Sequence, residues 1–535
     1  MRLRILVTDE VDPEGVALLT ADSRLDVDVE PTLPPDVLRE RIADYDAIVG
    51  RSATRVTAGL LESAPRLKVV GRAGVGVDNI AMDVATARGI AVINAPAGNT
   101  VAVAELVIGS LISLLRQLHS ANASMHNGGW TRSSLLGGEL AGRTLGIIGL
   151  GRIGSEVAVR AAAFGMPLVG YDPYVPDERF RGLKVRRCET LNELLELSQV
   201  VTVHTPITAE TRNMIGSEQL ARLAPGAIVC NLARGGIVNE DALLDSLSNG
   251  SLLGAVLDVY STEPLAADHP LRRADNVLLT PHIGANTAEA QRNVAVDVCA
   301  AVRDALVYGE LSRSINVADL SGVDWGEARS ALLVARRSAA LACEILAGRD
   351  VRTLQRLTVR VGPDLSGAAS LLLAGAAAGM LERVVGREGV NLINSRALAE
   401  QRGTAVSVSV SDQLGHGRAV EVLASGENDE MLVAGVAPAD GAPRLTRIGR
   451  FHVDVPPRGT LLVLTNRDVP GVIGRVGTVL GNAEVNIAEY HQARLDQGGE
   501  ALAAVAVDTA ISPELRASLL ELPEVRTVTV VEFGP

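Results

Sequence analysis

Short apolar runs alternate with helical patterns through the first three hundred residues. Residues 5–8, 47–50, 69–71 and 91–94 read as buried strands, and so do 145–149, 168–171, 200–204, 227–232, 255–259 and 277–280. Each run is apolar throughout and ends near Gly, Pro, Asp or Asn, as a strand buried on both faces does. Strands separated by helical patterns predict parallel βαβ units with helices on both faces of the sheet. A longer apolar-periodic segment, 101–125, predicts one helix joining two α/β lobes. His126-Asn127-Gly128-Gly129 supplies its stop.

The rhythm changes after Asn316. Arg336-Arg337 sits inside an apolar helical pattern, and 357–361, 406–410 and 419–422 read as strands. A Gly/Pro/Asp-rich turn, 437–443, precedes a further strand set, and Pro456-Pro457 reads as a linker. The last eighty residues predict strand (461–464), turn at Pro470-Gly471, helix (473–480), two strands (the second 502–508), helix and strand (527–533). That is a βαββαβ module. Residues 365–381 carry no charge, are rich in Gly and Ala, and are short for a membrane span. They predict a closely packed helix in a soluble core.

Composition narrows the function classes. The 535 residues are 47% hydrophobic and 21% charged, so several cores can form, three or four at ~150 residues each. Aromatics are only 2%, and the net charge is −13. Neither base stacking nor a phosphate-backbone face is expected, so nucleic acid is excluded as a partner. Cys188, Cys230, Cys299 and Cys343 lie far apart, which argues against a disulfide framework or a zinc site. No metal is expected, and a reducing cytoplasm fits. The start, MRLRILVTDE, reaches acidic residues too soon for a signal peptide.

The first chemistry lies at Gly149-Leu150-Gly151-Arg152-Ile153-Gly154, between a predicted strand and a predicted helix. In such a G-x-G-x-x-G turn Gly149 makes the bend, Gly151 lets the backbone approach a pyrophosphate, and Gly154 permits close helix–strand packing. The helix N-terminus faces the anion. Asp172 ends the next predicted strand about 20 residues on. A carboxylate there accepts from ribose hydroxyls and repels a 2′-phosphate, so the cofactor read from this pattern is NAD.

Three polar residues follow later strands or lie in the next loops: Arg234 in NLARGG, Glu263 in STEP and His282 in TPHIG. Taking a hydride from a secondary alcohol needs a base for the hydroxyl proton and a cation for a neighbouring carboxylate. His paired with Glu supplies the first, and Arg supplies the second.

GLGRIG, NLARGGIVNEDAL, GAVLDVYSTEPL and TPHIGANT, in this order and spacing, resemble the D-isomer-specific 2-hydroxyacid dehydrogenases over roughly residues 1–316. GRSAT at 50–54 and GRAGVGVDNI at 71–80 resemble the branch whose substrate is phosphorylated. Val75 stands where some relatives carry Thr. The resemblance implies two Rossmann-like doubly wound parallel-sheet lobes. Residues 1–97 and 285–316 would form the substrate-binding domain, and 98–284 the NAD-binding domain. An α+β intervening regulatory domain (317–455) and a ferredoxin-like ACT domain (456–535) would follow.

The roles implied by that resemblance are specific. His282 is the acid/base, Glu263 its partner and Arg234 the carboxylate anchor. Arg152, Ile153, Asp172, Thr205, Leu232, Ala233, Asp258, Gly284 and Ala285 contact NAD beside the Gly149, Gly151 and Gly154 turn. Arg51, Ser52 and Arg72 meet the substrate. The implied reaction oxidises D-3-phosphoglycerate with NAD to 3-phosphohydroxypyruvate and opens L-serine synthesis. A glyoxylate or hydroxypyruvate reductase and a non-enzymatic NAD-sensing corepressor are the alternatives left open here.

Further partners are implied. Trp130 and Arg132 in GGWTRSSLLGGEL combine two interface-prone residue types, and in the family this region crosses toward a neighbouring active site. A homo-oligomer follows, with a tetramer implied and Arg132 serving the partner's substrate. In LTNRDVPGVIGRVGTVLG and VNIAEY, the ACT-like sequence, Asp468 and Asn486 are the candidate contacts for L-serine as an allosteric effector.

Overall fold

In the computed structural model four sheets follow one another along the chain. The structure describes residues 2–130, 132–274, 276–317, 324–386 and 389–533. The first sheet holds β1 (Leu3–Val7), β2 (Leu25–Val29), β3 (Ala47–Gly50), β4 (Val69–Arg72) and β5 (Ala91–Asn94), in the order β2-β1-β3-β4-β5. The second holds β6 (Leu145–Ile148), β7 (Leu168–Tyr171), β8 (Arg186–Arg187), β9 (Val200–Val203), β10 (Ala227–Asn231), β11 (Leu252–Leu257) and β12 (Val277–Leu279). Its order is β12-β11-β10-β9-β6-β7-β8. Every pair in both sheets is parallel. Strand order reverses between β1 and β3 and between β6 and β9. The crevices left at such reversals, outside the carboxyl ends of the strands, take ligands.

A third sheet runs β14 (Ala405–Val410), β13 (Arg356–Val361), β15 (Ala419–Ser425), β16 (Glu430–Val436), β17 (Arg444–Ile448), β18 (Phe451–Val455). The last is β20 (Ile487–Arg494), β21 (Glu500–Val507), β19 (Gly459–Arg467), β22 (Val525–Phe533), antiparallel throughout. The α/β class and the βαββαβ module read from the sequence are both present. Three strands were missed: β2 (LDVDV) alternates polar with apolar residues instead of running apolar, β8 is only two residues long and carries two arginines, and β16 lies close behind the turn that follows β15.

The uncharged segment falls in the helix Ala369–Val385 and the turn before it. The continuous helical stretch Pro363–Val385 is long and apolar enough to cross a bilayer, yet 67% of its apolar window is buried inside the protein. It packs along the helix Trp325–Gly348. The approach is close because Gly375 and Gly379 face that helix: a Cβ on Gly379 would lie 2.0 Å from the Arg336 carbonyl oxygen, and one on Gly375 2.4 Å from Leu332 Cδ1.

The single helix expected over 101–125 is two, Thr100–Leu115 and Leu118–His126, meeting at 63°. Gln117 takes a left-handed backbone (φ 48°). The Leu115 carbonyl is thereby released and accepts from the Gly138 amide at 3.0 Å, so the chain returning through 137–138 caps the break. Apolar periodicity continues across a bend of this kind, which is why the sequence pattern hid it.

Replacing Gly379 with Ala forces a methyl group against a backbone carbonyl that cannot swing aside. The expected loss is about 1–3 kcal/mol, the usual cost of overpacking, seen as a lower midpoint in urea unfolding. Alanine at Gly367, where a Cβ meets nothing within 4 Å, should leave the midpoint in place.

Candidate active site

A cleft of about 770 Å³ opens beside the carboxyl ends of β3 and β4 and is closed on its far side by Glu263, Pro281, His282 and Ala285. Arg51, Ser52 and Arg55 reach it from the loop after β3, Arg72 from the end of β4, and Asp78 and Asn79 from the loop beyond. The strand ends thus bring the GRSAT and GRAGVGVDNI segments to one wall and the STEP and TPHIG segments to the other.

The cations of this cleft are crowded. Arg72 is half-buried, its Nε has no partner among the described residues, and one terminal nitrogen donates to the Ala73 carbonyl at 3.1 Å. Burial, then the charges of Arg234 and Arg51, push its guanidinium down to about 10. It stays positive at neutral pH, in a place that disfavours positive charge. Gly74 and Gly76 make the crowding possible: a Cβ on Gly74 would overlap Arg72, and one on Gly76 would come within 2.2 Å of Arg234. Arg234, after β10, donates to Asp78 Oδ2 at 3.1 Å and so ties the second lobe to the first. An anion entering here relieves like-charge repulsion as well as forming hydrogen bonds.

Opposite the cations, His282 Nδ1 lies 2.7 Å from Glu263 Oε2. A carboxylate only accepts, so Nδ1 carries the proton and Nε2 is left with its lone pair. The other Glu263 oxygen accepts from the Tyr260 amide at 3.0 Å, which fixes the carboxylate. The Asp258 carboxylate holds the TPHIG loop by accepting from Thr280 Oγ1 (2.6 Å), the Ile283 amide (2.8 Å) and the Gly284 amide (2.8 Å). In this structure it fastens the His282 loop.

The glycine turn has the shape a dinucleotide needs. Gly149 sits at φ 90°, a backbone that disfavours any side chain. A Cβ on Gly154 would lie 2.1 Å from the Gly149 carbonyl oxygen, whereas one on Gly151 meets nothing within 4 Å. Gly151 caps the helix Arg152–Ala163 with no side-chain hydrogen bond, leaving Arg152 and Ile153 in a first turn open to an anion. Asp172, just past β7, accepts from the Leu150 amide and the Tyr174 amide, each at 2.9 Å. Thr205 Oγ1 and His204 Nδ1 are buried without partners among the described residues. Leu232 and Ala233 follow β10, where the Ala233 amide donates to Asn231 at 3.1 Å. These residues fit a bound dinucleotide, and the orphaned Thr205 hydroxyl faces that need most directly.

Three residues expected to act between subunits lie away from this cleft. Arg132, in the short turn Arg132–Ser134, is exposed and does not line the cleft of its own chain; Trp130 and Leu136 nearby are 81% and 89% exposed. Asp468 meets Arg494 (3.4 Å) and the Gly498 amide (3.3 Å), while Asn486 donates to Asp508 at 2.6 Å. The β19–β21 register, Arg467 beside Glu500 and Thr460 beside Val507, puts them at opposite ends of the sheet. Asp78 and Asn79 were missed in the sequence, although both sit inside the glycine-spaced segment already singled out.

Comparison with known proteins agrees with this geometry. Residues 108–284 match the family described as D-isomer specific 2-hydroxyacid dehydrogenase, NAD binding domain. The D-3-phosphoglycerate dehydrogenase of Methanocaldococcus jannaschii is 35% identical over 533 residues, covering 99% of this chain and 100% of its own. The chain belongs to the D-3-phosphoglycerate dehydrogenase family. The Synechocystis dehydrogenase of that name is 36% identical, covering 99% of this chain and 95% of its own. Among solved structures, the NAD-bound 3-phosphoglycerate dehydrogenase of Entamoeba histolytica covers 59% of this chain and 99% of its own, at 27% identity and TM-score 0.50. This dehydrogenase is thus an NAD-dependent oxidoreductase with two parallel-sheet lobes like those of its relatives.

Asp172 gives the test of cofactor choice. Asp172→Ser removes a charged acceptor worth roughly 1.5–3 kcal/mol. The KM for NAD should rise about tenfold or more, and activity with NADP should gain relative to NAD. A wild-type enzyme that uses NADP as well as NAD contradicts the assignment.

Proposed function

We propose that the cleft oxidises D-3-phosphoglycerate to 3-phosphohydroxypyruvate, the step that opens L-serine synthesis. The observation that carries this reading is Arg51 and Arg72 lining one cleft with the Glu263–His282 pair, with Arg234 tied to the cleft residue Asp78 beside them. A phosphate dianion and a carboxylate together bring negative charge to a wall that carries Arg51, Arg55 and Arg72, with Arg234 beside it paired to Asp78. A simple glyoxylate reductase leaves the charge of that wall unmatched, and a corepressor needs no imidazole–carboxylate pair.

Arg234 takes the substrate carboxylate, with Asp78 holding the guanidinium in place until it arrives. Arg51, Ser52 and Arg72 take the phosphate. His282 Nε2 accepts the proton of the C2 hydroxyl, and Glu263 stabilises the imidazolium that forms. Bound NAD supplies the acceptor for the hydride leaving C2. The glycine turn with Arg152 and Ile153 receives the pyrophosphate. Asp172 receives the ribose hydroxyls, and Thr205, Leu232, Ala233, Gly284 and Ala285 line the remainder. Asp258 serves chiefly by fastening the loop that carries His282 and Gly284.

The exposed Trp130 and Leu136 side chains support a homo-oligomer in which Arg132 reaches a partner's cleft, and a tetramer follows if the fourth-sheet modules also pair. Asp468 and Asn486, at opposite ends of one sheet, could share an L-serine molecule only between two copies. The cytoplasm suits a chain whose four cysteines are all buried and free.

His282→Ala should lower kcat about 10²–10⁴-fold, the usual worth of a general base, while NAD still binds. Glu263→Gln should cost less. Near-normal turnover by His282→Ala would remove the assignment.

Serine titrated against the forward rate should inhibit the wild-type enzyme, and Asp468→Ala or Asn486→Ala should abolish that inhibition without changing the uninhibited rate. Inhibition that persists in both variants would place the effector elsewhere.

A further inference from the structure

The loop that brings Arg51 and Ser52 into the cleft is held from both sides by residues that themselves follow the two neighbouring strands. β3, which feeds the loop, lies between β1 and β4. Asp9 follows β1. Its Oδ2 accepts from the Arg51 amide and the Thr54 amide, each at 2.8 Å. Asn79 follows β4. Its Nδ2 donates to the carbonyls of the same two residues, Arg51 at 3.1 Å and Thr54 at 2.7 Å. One side chain takes the loop's donors, and the other satisfies its acceptors.

The remaining valences tighten this grip. Asp9 Oδ1 accepts from Thr54 Oγ1 (2.7 Å) and Thr32 Oγ1 (2.8 Å), and Thr8 Oγ1 shares a hydrogen bond with Thr54 Oγ1 at 2.9 Å. Asp9, Thr8 and Thr54 are buried, so the bonds among them have no water as a substitute partner. Asp9 and Glu10 both take a left-handed backbone, at φ 63° and 52°. Two such residues in succession are unfavourable outside glycine, and the surrounding structure must impose them. Here they swing the Asp9 carboxylate under the loop.

Neither Asp9 nor Asn79 Nδ2 has bonding capacity left over for a substrate; Asn79 lines the cleft and Asp9 does not. We infer that Asp9 and Asn79 form a two-sided clamp that positions Arg51 and Ser52 for the substrate phosphate, and that selectivity for the phosphorylated acid depends on it. The inference rests on the reading that this loop meets the phosphate. Both are positioning residues: they act through the loop's backbone.

The test compares full-length wild type, Asp9→Asn and Asn79→Ala with D-3-phosphoglycerate and with D-glycerate. Asp9→Asn keeps the shape: its carbonyl can serve the two amides, and its NH2 can serve the two hydroxyls, but the charge is gone. Each variant should raise the KM for the phosphorylated acid at least about tenfold. Its kcat, its KM for NAD and its kcat/KM for D-glycerate should stay near wild type. In an Arg51→Ala background, Asp9→Asn should add little, because the side chain it positions is already absent. Equal losses on both substrates, no loss on either, or full additivity with Arg51→Ala would overturn the clamp. If Asp9→Asn fails to fold, Asn79→Ala decides from the other side of the loop. A wild-type enzyme with no preference for the phosphorylated acid would fault the substrate reading itself, whereas an unchanged preference in the variants would fault only the clamp.

Discussion

Like-charge repulsion inside one cleft is the constraint from which the rest of this molecule follows. Arg72 is half-buried near Arg51 and Arg234; burial and these two charges disfavour its cation, Asp78 and Asp9 offset them in part, and among the described residues the one close ion pair of the three is Arg234–Asp78. Folding alone does not settle that arrangement. A ligand carrying two well-separated anionic groups does, because each guanidinium gains a partner and the repulsion between them is screened. In the proposed reading the His282–Glu263 pair meets the carbon that lies between those groups, so the charges that bind the substrate would also choose the hydroxyl.

The architecture is suited to holding such an arrangement. Both parallel sheets present their carboxyl ends to the cleft region, and each functional side chain, Arg234 after β10 included, is anchored in a loop that begins at or just after a buried strand. Cβ-free positions at Gly74 and Gly76 let two guanidiniums lie against the backbone, where any larger residue would push them apart. Asp258 and Tyr260 fasten the opposite wall through the backbone of 280–284. The repelling charges are held in place by loops fixed through backbone hydrogen bonds, including those that the Asp9 carboxylate accepts from the Arg51 loop.

Much of this was legible in the sequence, for identifiable reasons. Strands buried on both faces leave uninterrupted apolar runs, so nearly all the inner strands of the parallel sheets could be read. The edge strand β2, half exposed, could not. The glycine turn, Asp172, Arg234, Glu263 and His282 sit at strand ends whose flanking residues are distinctive. Asp9 and Asn79 escaped notice because what marks them is spatial: a carboxylate and an amide reaching the same two peptide units from different strands. The bend at Gln117 was hidden because apolar periodicity survived it.

Initial rates with D-3-phosphoglycerate and D-glycerate over a series of ionic strengths test the central claim most directly. If the cleft selects its substrate through unmatched guanidinium charge, kcat/KM at low salt should be far higher for the phosphorylated acid. It should then fall steeply as screening increases, since the Debye length shrinks from about 30 Å at 0.01 M to about 8 Å at 0.15 M. D-Glycerate should show a low and much flatter dependence. Equal kcat/KM values with parallel salt slopes for the two acids would contradict the account.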